Sequence, residues 1–569
     1  MVSNKDLADK LYDIADMLEI EGVKWEPRAY RTAALTISGL SDDISVIYKE
    51  GKLTELEGVG KSIASSIKEY IETGRMKKYD ELKKKYPMDF STFRKIRGMG
   101  PKRIYSLYKN LDIKNLEDLR LAISKNKIRS LEGFGEKSEE DLKKNIDSFL
   151  SVKNERLFLG YVIDYANKIV EKLSRSGLFY KVEIAGSMRR MKETVGDIDI
   201  LAISNKPEKG MDFFSNLDEV KEVIVKGPTK TTVSLGIGIT CDIRILKKES
   251  FGAAMQYFTG NKDHNVKVRK IAISKGLKLN EYGLFKGDKV VAAENEEEVY
   301  KRLGLDWIPP ELRENTGEIE AAQLHKLPRI VDYSLIIGDM HVHSKDSDGM
   351  NSLDEMAKSA ENNGIKYIAL TNHSKSLKVA NGLDEKRFRE INKKIDLFNE
   401  KSNGIKILKG VEMEILKDGS IDLNYATLKE LDFVIGALHQ NLNMAPKELT
   451  DRLIKAIESG KLNSIAHPMD RIIGQREPLK LDFERVMEAC KKNDVLLEIN
   501  GYPERSDLPF DLVKRAKEYG LKFSLGSDSH RTEHLRFIKL ATAIARRGWL
   551  QSGDVVNTMP YESILKLKR

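Results

Sequence analysis

The chain has 569 residues, too many for one hydrophobic core, so three to five domains of roughly 100–200 residues are expected. Its 40% hydrophobic and 33% charged residues with 14 prolines describe ordinary globular domains, and its two cysteines, Cys241 and Cys490, support neither a disulfide framework nor a cysteine zinc site. No apolar run reaches the ~18 residues of a membrane span and the first residues read as a helix rather than a signal peptide, so a cytoplasmic protein is expected; the net charge of +9 is uneven, with 20 Lys and Arg against 10 Asp and Glu in residues 51–130. Such a stretch is either a nucleic-acid footprint or a lysine-rich solvated helical surface.

In chain order, Leu7, Leu11, Ile14, Ala15 and Leu18 recur at spacings of three and four, the mark of an amphipathic helix, and Ala29-Tyr30-Arg31 opens another. The segment Leu53 to Ala64 has the pattern hxxhxGhG around Gly58 and Gly60. Its glycines permit unusual backbone angles and leave amides at a helix start that can hold a DNA phosphate. The same grammar recurs around Gly98 and Gly100, followed by Pro101, Lys102 and Arg103, and in a weaker copy around Gly133 and Gly135. Three such copies at intervals of about 35 to 40 residues argue for helix-hairpin-helix modules that grip backbone phosphates without reading sequence. The third, flanked by Glu132, Glu136, Glu139 and Glu140, reads equally well as a structural turn.

After a helical pattern from Leu157 to Leu173 the period switches to two at Val182 and Ile184. This strand leads into Gly186-Ser187-Met188-Arg189-Arg190, then Gly196-Asp197-Ile198-Asp199-Ile200. Alternation along a strand puts Asp197 and Asp199 on one face, where their repulsion suits a divalent cation; an edge-strand pair of solvated aspartates is the alternative for a lone DxD. The segment Thr240 to Ile245 is a further strand, and its Asp242 is a third carboxylate. Three aspartates on adjacent strands can hold two metals for in-line phosphoryl transfer, with Asp242 nearest the attacking hydroxyl.

Residues 310–332 lack a period and read as a linker. Beyond them, seven apolar runs, around 334–343, 366–372, 405–412, 433–439, 463–467, 495–499 and 522–528, alternate with helical segments. Continuous apolar strands between amphipathic helices imply buried parallel strands closing into a barrel, whose strand ends form the reactive face. Six of the nine histidines fall there, His341, His343, His373, His439, His467 and His530, with Asp348, Glu412 and Asp528. One buried histidine is usually a core residue; six with three carboxylates point to Zn, Mn or Fe.

The order Ala29-Tyr30-Arg31, repeated hairpins, Gly186-Ser187 with Arg190, Asp197-x-Asp199, Asp242-Ile243-Arg244, Tyr257-Phe258-Thr259-Gly260 and Asn280-Glu281-Tyr282 resembles the family X DNA polymerases over residues 1 to about 317. The histidine and carboxylate motifs resemble the PHP domain. Together they imply a multidomain chain: α-helical helix-hairpin-helix domains at 1–85 and 86–150, an α+β nucleotidyltransferase palm at 151–260, a thumb at 261–317, a linker at 318–332 and an α/β distorted (β/α)7 barrel at 333–569.

By that resemblance, Asp197, Asp199 and Asp242 hold Mg2+ or Mn2+; Gly186, Ser187, Arg190, Gly196 and Gly260 belong to the nucleotide site; and Tyr257-Phe258 lie under the sugar. Asn265 reaches the base, and Arg244 and Arg269 with the hairpin residues Gly58, Gly60, Gly98, Gly100, Lys102 and Arg103 contact DNA. The nine barrel positions hold up to three Zn2+, Mn2+ or Fe2+ ions. The implied activity is gap-filling DNA synthesis with 3'-5' exonuclease or phosphoesterase action, on gapped or nicked DNA and dNTPs, by a cytoplasmic monomer that works beside other repair proteins. A nucleotidyltransferase joined to a small-molecule phosphatase, or a DNA-binding scaffold with dead sites, are the competing readings. Three departures stand out: Ser66 replaces the lysine that forms a Schiff base with abasic sugar, Lys262 replaces an acidic residue beside the nucleotide base, and Asn372 stands where the PHP family often has Asp.

Overall fold

The computed structural model describes residues 4–38, 44–94, 96, 99–131, 133–135, 138–140, 142–143, 146 and 156–569. Gly98, Glu132 and Glu136 lie outside the described residues.

The first helix, Asn4–Ile20, buries the predicted Leu7, Leu11, Ile14, Ala15 and Leu18 in one core that continues to Ile146. In the first hairpin Gly58 has φ +79°, and a Cβ there would stand 2.6 Å from the Ala33 nitrogen, so both backbone angle and space demand glycine. Gly60 caps the helix Lys61–Thr73, and Gly100 caps Pro101–Leu111 with Pro101 in its first turn. The element before each glycine pair is short, a 3-10 turn at Leu53–Glu55 and a single turn at Phe90–Phe93, so each hairpin joins a turn to a helix rather than two full helices. In the third copy the buried Glu139 carboxylate accepts hydrogen bonds from the Ile128 and Arg129 amides and from Arg129 Nε, at 2.9 to 3.0 Å. That internal clasp favours a structural turn.

The palm is a five-stranded sheet of β1 (Lys181–Ile184), β2 (Asp197–Ile203), β3 (Val220–Lys226), β4 (Lys230–Leu235) and β5 (Thr240–Leu246), ordered β1-β2-β5-β4-β3. Alternating burial along β5 sends Cys241, Ile243 and Ile245 into the core and Asp242 to the other face. The helices Phe251–Thr259 and Lys262–Ser274 follow, then an antiparallel meander of β6 (Lys278–Asn280), β7 (Gly283–Lys286) and β8 (Lys289–Ala292). Residues 318–323, expected as linker, instead form the helix Glu318–Gln323. Ile319 and Ala322 bury into the thumb core, an anchoring too brief to show as periodicity.

Seven parallel strands follow in chain order: β9 (Gly338–Val342), β10 (Tyr367–Leu370), β11 (Lys406–Glu414), β12 (Phe433–Ala437), β13 (Ser464–Ile465), β14 (Leu496–Asn500) and β15 (Phe523–Gly526). Each matches an apolar run, because helices cover the outside while Met340, Tyr367, Leu408, Phe433 and Ile435 fill the interior. The chain just past the last strand meets the end of the first, the Asp528 amide donating to the His341 carbonyl (2.9 Å) and the His343 amide to the Ser529 carbonyl (2.8 Å). The ring is thereby nearly closed. The barrel also joins the palm, since Phe537 and Leu540 share the palm core.

Candidate active sites in the palm and the barrel

The palm site grows from the only parallel pair in its sheet. β2 and β5 run side by side with Asp199 opposite Asp242 and Asp197 opposite Thr240, so the three carboxylates gather on one face. Burial pushes the Asp199 carboxyl up to about 7, and the neighbouring charges of Asp197 and Asp242 add to it. Lys230 on β4 stands 3.3 Å from Asp242. Gly186 at φ +62° lies against Asp199, where a Cβ would come within 2.2 Å of Oδ2.

A cleft of about 550 Å³ opens beside them, lined among others by Ser187, Tyr257, Lys262, Asn265 and Arg269. The buried Ser187 hydroxyl has no partner there. Tyr257 and Phe258 meet edge to face with ring centres 5.1 Å apart, and the Arg244 guanidinium lies 4.9 Å over Phe258. Arg190 also borders the cleft, but it is anchored, donating through Nη1 to the Thr259 carbonyl and through Nε to Glu314 (3.1 Å). Asn265 donates to the Tyr257 carbonyl (2.7 Å) and accepts from Gln256 (2.8 Å), so its amide fixes the Tyr257 backbone. Gly196 and Arg244 are outside the cleft lining, while Gly58, Gly60, Gly100, Lys102 and Arg103 belong to the helical region. Ser66 sits in the helix Lys61–Thr73, its hydroxyl turned back to the Ser62 carbonyl at 3.4 Å.

In the barrel all nine expected ligands converge. His343, Asp348, His373 and His530 form one group, His341, His343 and Asp528 a second, and His373, Glu412 and His439 a third; within each, one potential ligand atom per residue lies within 4.8 Å of the others. His467 Nε2 is 2.9 Å from Glu412 Oε1. Burial and then the charge of His530 push the His343 imidazole down to about 3, a neutral ring suited to ligation. His467 and Asp528 have φ of +27° and +55°, backbone strain of the kind that collects at functional sites. Glu412 lies two residues inside the end of β11 rather than at the end, because the strand runs on to Glu414.

Several contributing residues went unassigned in the sequence. Glu498 on β14 accepts from the His467 amide (2.6 Å) and stands 2.6 Å from His341 Nδ1, and Glu414 stands 2.8 Å from His439 Nδ1. Both orient imidazoles from behind. A lone carboxylate inside an apolar run marks Glu498, and Glu414 follows Glu412 by two residues on the same strand. Asn372 accepts from the Ser344 amide (2.9 Å) and the Ser347 hydroxyl (2.8 Å), so it holds the loop that carries Asp348. Glu314 carries no sequence signal at all.

The residues present fit divalent cations at both centres. In the palm, three carboxylates face one another across β2 and β5. In the barrel, buried Nδ1 atoms of His343, His373 and His467 lack hydrogen-bond partners beside Glu412 and Asp528.

Family models match along the chain: a helix-hairpin-helix domain over residues 2–76, a SAM-like helix-hairpin-helix tandem over 90–147, the DNA polymerase beta thumb over 254–314 and the PHP domain over 339–501. The chain is 34% identical over 565 residues, 98% of each chain, to the DNA polymerase/3'-5' exonuclease PolX of Bacillus subtilis (strain 168). It is 31% identical over 233 residues, 39% of this chain and 91% of the relative, to a probable phosphatase of Thermoanaerobacter sp. (strain X514). A two-centre architecture with this end-to-end similarity places the chain in the family of PolX DNA polymerase/3'-5' exonucleases, to which it belongs.

Proposed function

We propose that the chain fills short gaps in DNA by template-directed synthesis at the palm and removes nucleotides from 3' ends at the barrel. The observation that carries this is two separate clusters: Asp197, Asp199 and Asp242 on one sheet face, and nine converging histidines and carboxylates in the barrel.

Divalent cations, when bound, supply charge neutralisation and Lewis acidity for phosphoryl transfer at either centre. In the palm, the unpartnered Ser187 hydroxyl binds the triphosphate of a dNTP, and Arg190, held by Glu314, presents its remaining charge to it. The Tyr257-Phe258 pair carries the sugar, with Asn265 fixing the Tyr257 backbone from behind. Asp242, restrained by Lys230, takes the position nearest the primer hydroxyl. The hairpins capped by Gly60 and Gly100, with Lys102 and Arg103, hold DNA backbone on either side of the gap. In the barrel, Glu498 and Glu414 fix the orientation of His341 and His439, and the incoming 3' end meets the ligand cluster. Mg2+ or Mn2+ in the palm and Zn2+, Mn2+ or Fe2+ in the barrel suit the two donor sets. The likeness to a probable phosphatase favours removal of a 3' phosphate as a second barrel activity.

The test uses a one-nucleotide gapped duplex with labelled dNTP and Mg2+ or Mn2+. Asp242→Ala should abolish extension and spare 3' degradation, and His341→Ala should do the reverse. Loss of both activities in both variants would overturn the assignment of two centres.

A further inference from the structure

The helix Ile538–Arg547 belongs to the barrel, yet its last residue ends inside the polymerase. Arg547 is fully buried, and its Nη1 stands 2.7 Å from Glu193 Oε1 of the palm. Its Nη2 is 3.9 Å from Glu314 Oε1, and its guanidinium lies 4.2 Å over the Phe510 ring. The contact to Glu193 is ionic rather than a directed hydrogen bond: all three guanidinium nitrogens are sealed from solvent without an aligned acceptor. A buried cation with so little hydrogen bonding is held by the carboxylates it faces.

One of those carboxylates lines the nucleotide cleft and the other holds residues that do. Glu193 is part of its wall. Glu314 accepts from Arg190 Nε (3.1 Å) and from Asn261 Nδ2 (2.9 Å), and both of those residues also line the cleft. The Glu193 carbonyl receives the Leu159 amide (2.9 Å) at the start of the palm helix Leu159–Arg175, and in the next residue, Gly160, a Cβ would meet Leu540 of the same barrel helix at 2.7 Å. Arg546 pairs with the thumb-side Glu311 at 2.7 Å. One barrel helix therefore braces the palm through Leu540 and Arg547 and the thumb side through Arg546.

We infer that Arg547 is a positioning residue for DNA synthesis: the barrel holds Glu193 and Glu314, and through Glu314 the guanidinium of Arg190, in the geometry that receives the triphosphate of a dNTP. This rests on the cleft beside Asp199 being the dNTP site. It gives the barrel a role in polymerisation that needs none of its nine metal ligands. Burial raises the Glu193 carboxyl, but the charge of Arg547, hydrogen bonding and the charge of Arg471 together bring it below its ordinary value, so Glu193 stays ionised at neutral pH.

The test uses the full chain and gapped duplex, with dNTP concentration varied for Arg547→Met, Arg547→Lys, Glu193→Gln and the double variant Arg547→Met/Glu193→Gln. Arg547→Met should raise the dNTP KM about tenfold with little change in kcat. Degradation of a labelled 3' end should be unaltered. Arg547→Lys should recover part of the loss, and the double variant should lose less than the product of the single effects, because neither leaves the other charge unpaired. An unchanged KM in all the variants overturns the inference, as does an equal fall of extension and degradation. If Arg547→Met does not fold, Arg547→Lys and Glu193→Gln decide by the same criteria. Asp242→Ala run alongside separates the two levels: retained extension in that variant means the cleft itself is misassigned, whereas lost extension with normal KM in the Arg547 variants sinks only the bracing role.

Discussion

Asp199 on β2 lies directly opposite Asp242 on β5, in the one parallel strand pair of the palm sheet. Two carboxylates from distant parts of the chain therefore share a face with Asp197, and burial, with the charges of Asp197 and Asp242 added to it, raises the Asp199 carboxyl.

With its carboxyl pushed up to about 7, metal-free Asp199 is protonated below that pH and ionised above it. A cation must displace the proton to bind. The Mg2+ concentration giving half-maximal extension should accordingly fall by about tenfold per unit as pH rises toward 7 and level off above it. Gap extension assayed against Mg2+ from pH 5.5 to 8.5 measures this; a requirement that stayed flat would contradict the buried-carboxylate account.

Gly186→Ala should act through Asp199 rather than through global folding. The left-handed angle costs a non-glycine residue about 1–2 kcal/mol, and the added Cβ would press on the Asp199 carboxylate. Extension should fall at least about tenfold while 3' degradation and the main unfolding midpoint change little. Parallel extension and degradation assays on the purified variant check it.

Glu498→Gln should weaken cation binding at the barrel by about 10- to 100-fold, because it removes the charge behind His341 and leaves one acceptor oxygen to serve both His341 Nδ1 and the His467 amide. Metal titration by calorimetry and degradation at limiting Mn2+ should both report the loss, and excess Mn2+ should restore degradation. Gap extension should be untouched, since the palm carboxylates lie on a different sheet.

Glu296 ties the palm to the thumb side, receiving Arg189 Nη2 at 2.7 Å and the fully buried Arg313 at 2.7 Å. Burial raises its carboxyl, but Arg313 and Arg189 outweigh this and hold it at about 2, below its ordinary 4.5. A depressed carboxylate stabilises the fold above its unfolded pKa and loses that contribution as pH falls from about 4.5 toward 2, an effect of about 3 kcal/mol. Glu296→Gln should therefore lower the denaturant midpoint clearly at pH 7, and the gap to the unsubstituted protein should narrow at pH 3. An equal gap at both pH values would mean that the ion pairs do not carry the joint.

Much of the architecture was legible because its signals are local. Alternation placed Asp197 and Asp199 on one face, the apolar runs gave all seven barrel strands, and the histidines and carboxylates after those runs are nine residues that do converge. Each rests on the repeat of a strand or on a residue at its end, which neighbouring residues reveal without knowledge of the fold. The helix Glu318–Gln323 leaves no such mark, because six residues are too few for a helical period to stand out.

The supporting partners were decided by tertiary structure alone. Glu498 reaches His341 across 157 positions, Glu314 reaches Arg190 across 124, and Arg547 reaches Glu193 from another domain. No periodicity links such pairs, since only the closure of a barrel or the docking of one domain on another brings them together. Sequence thus determined which groups could perform chemistry; packing at long range determined what holds them in place, because a buried charge is stable only where the fold delivers its counter-charge.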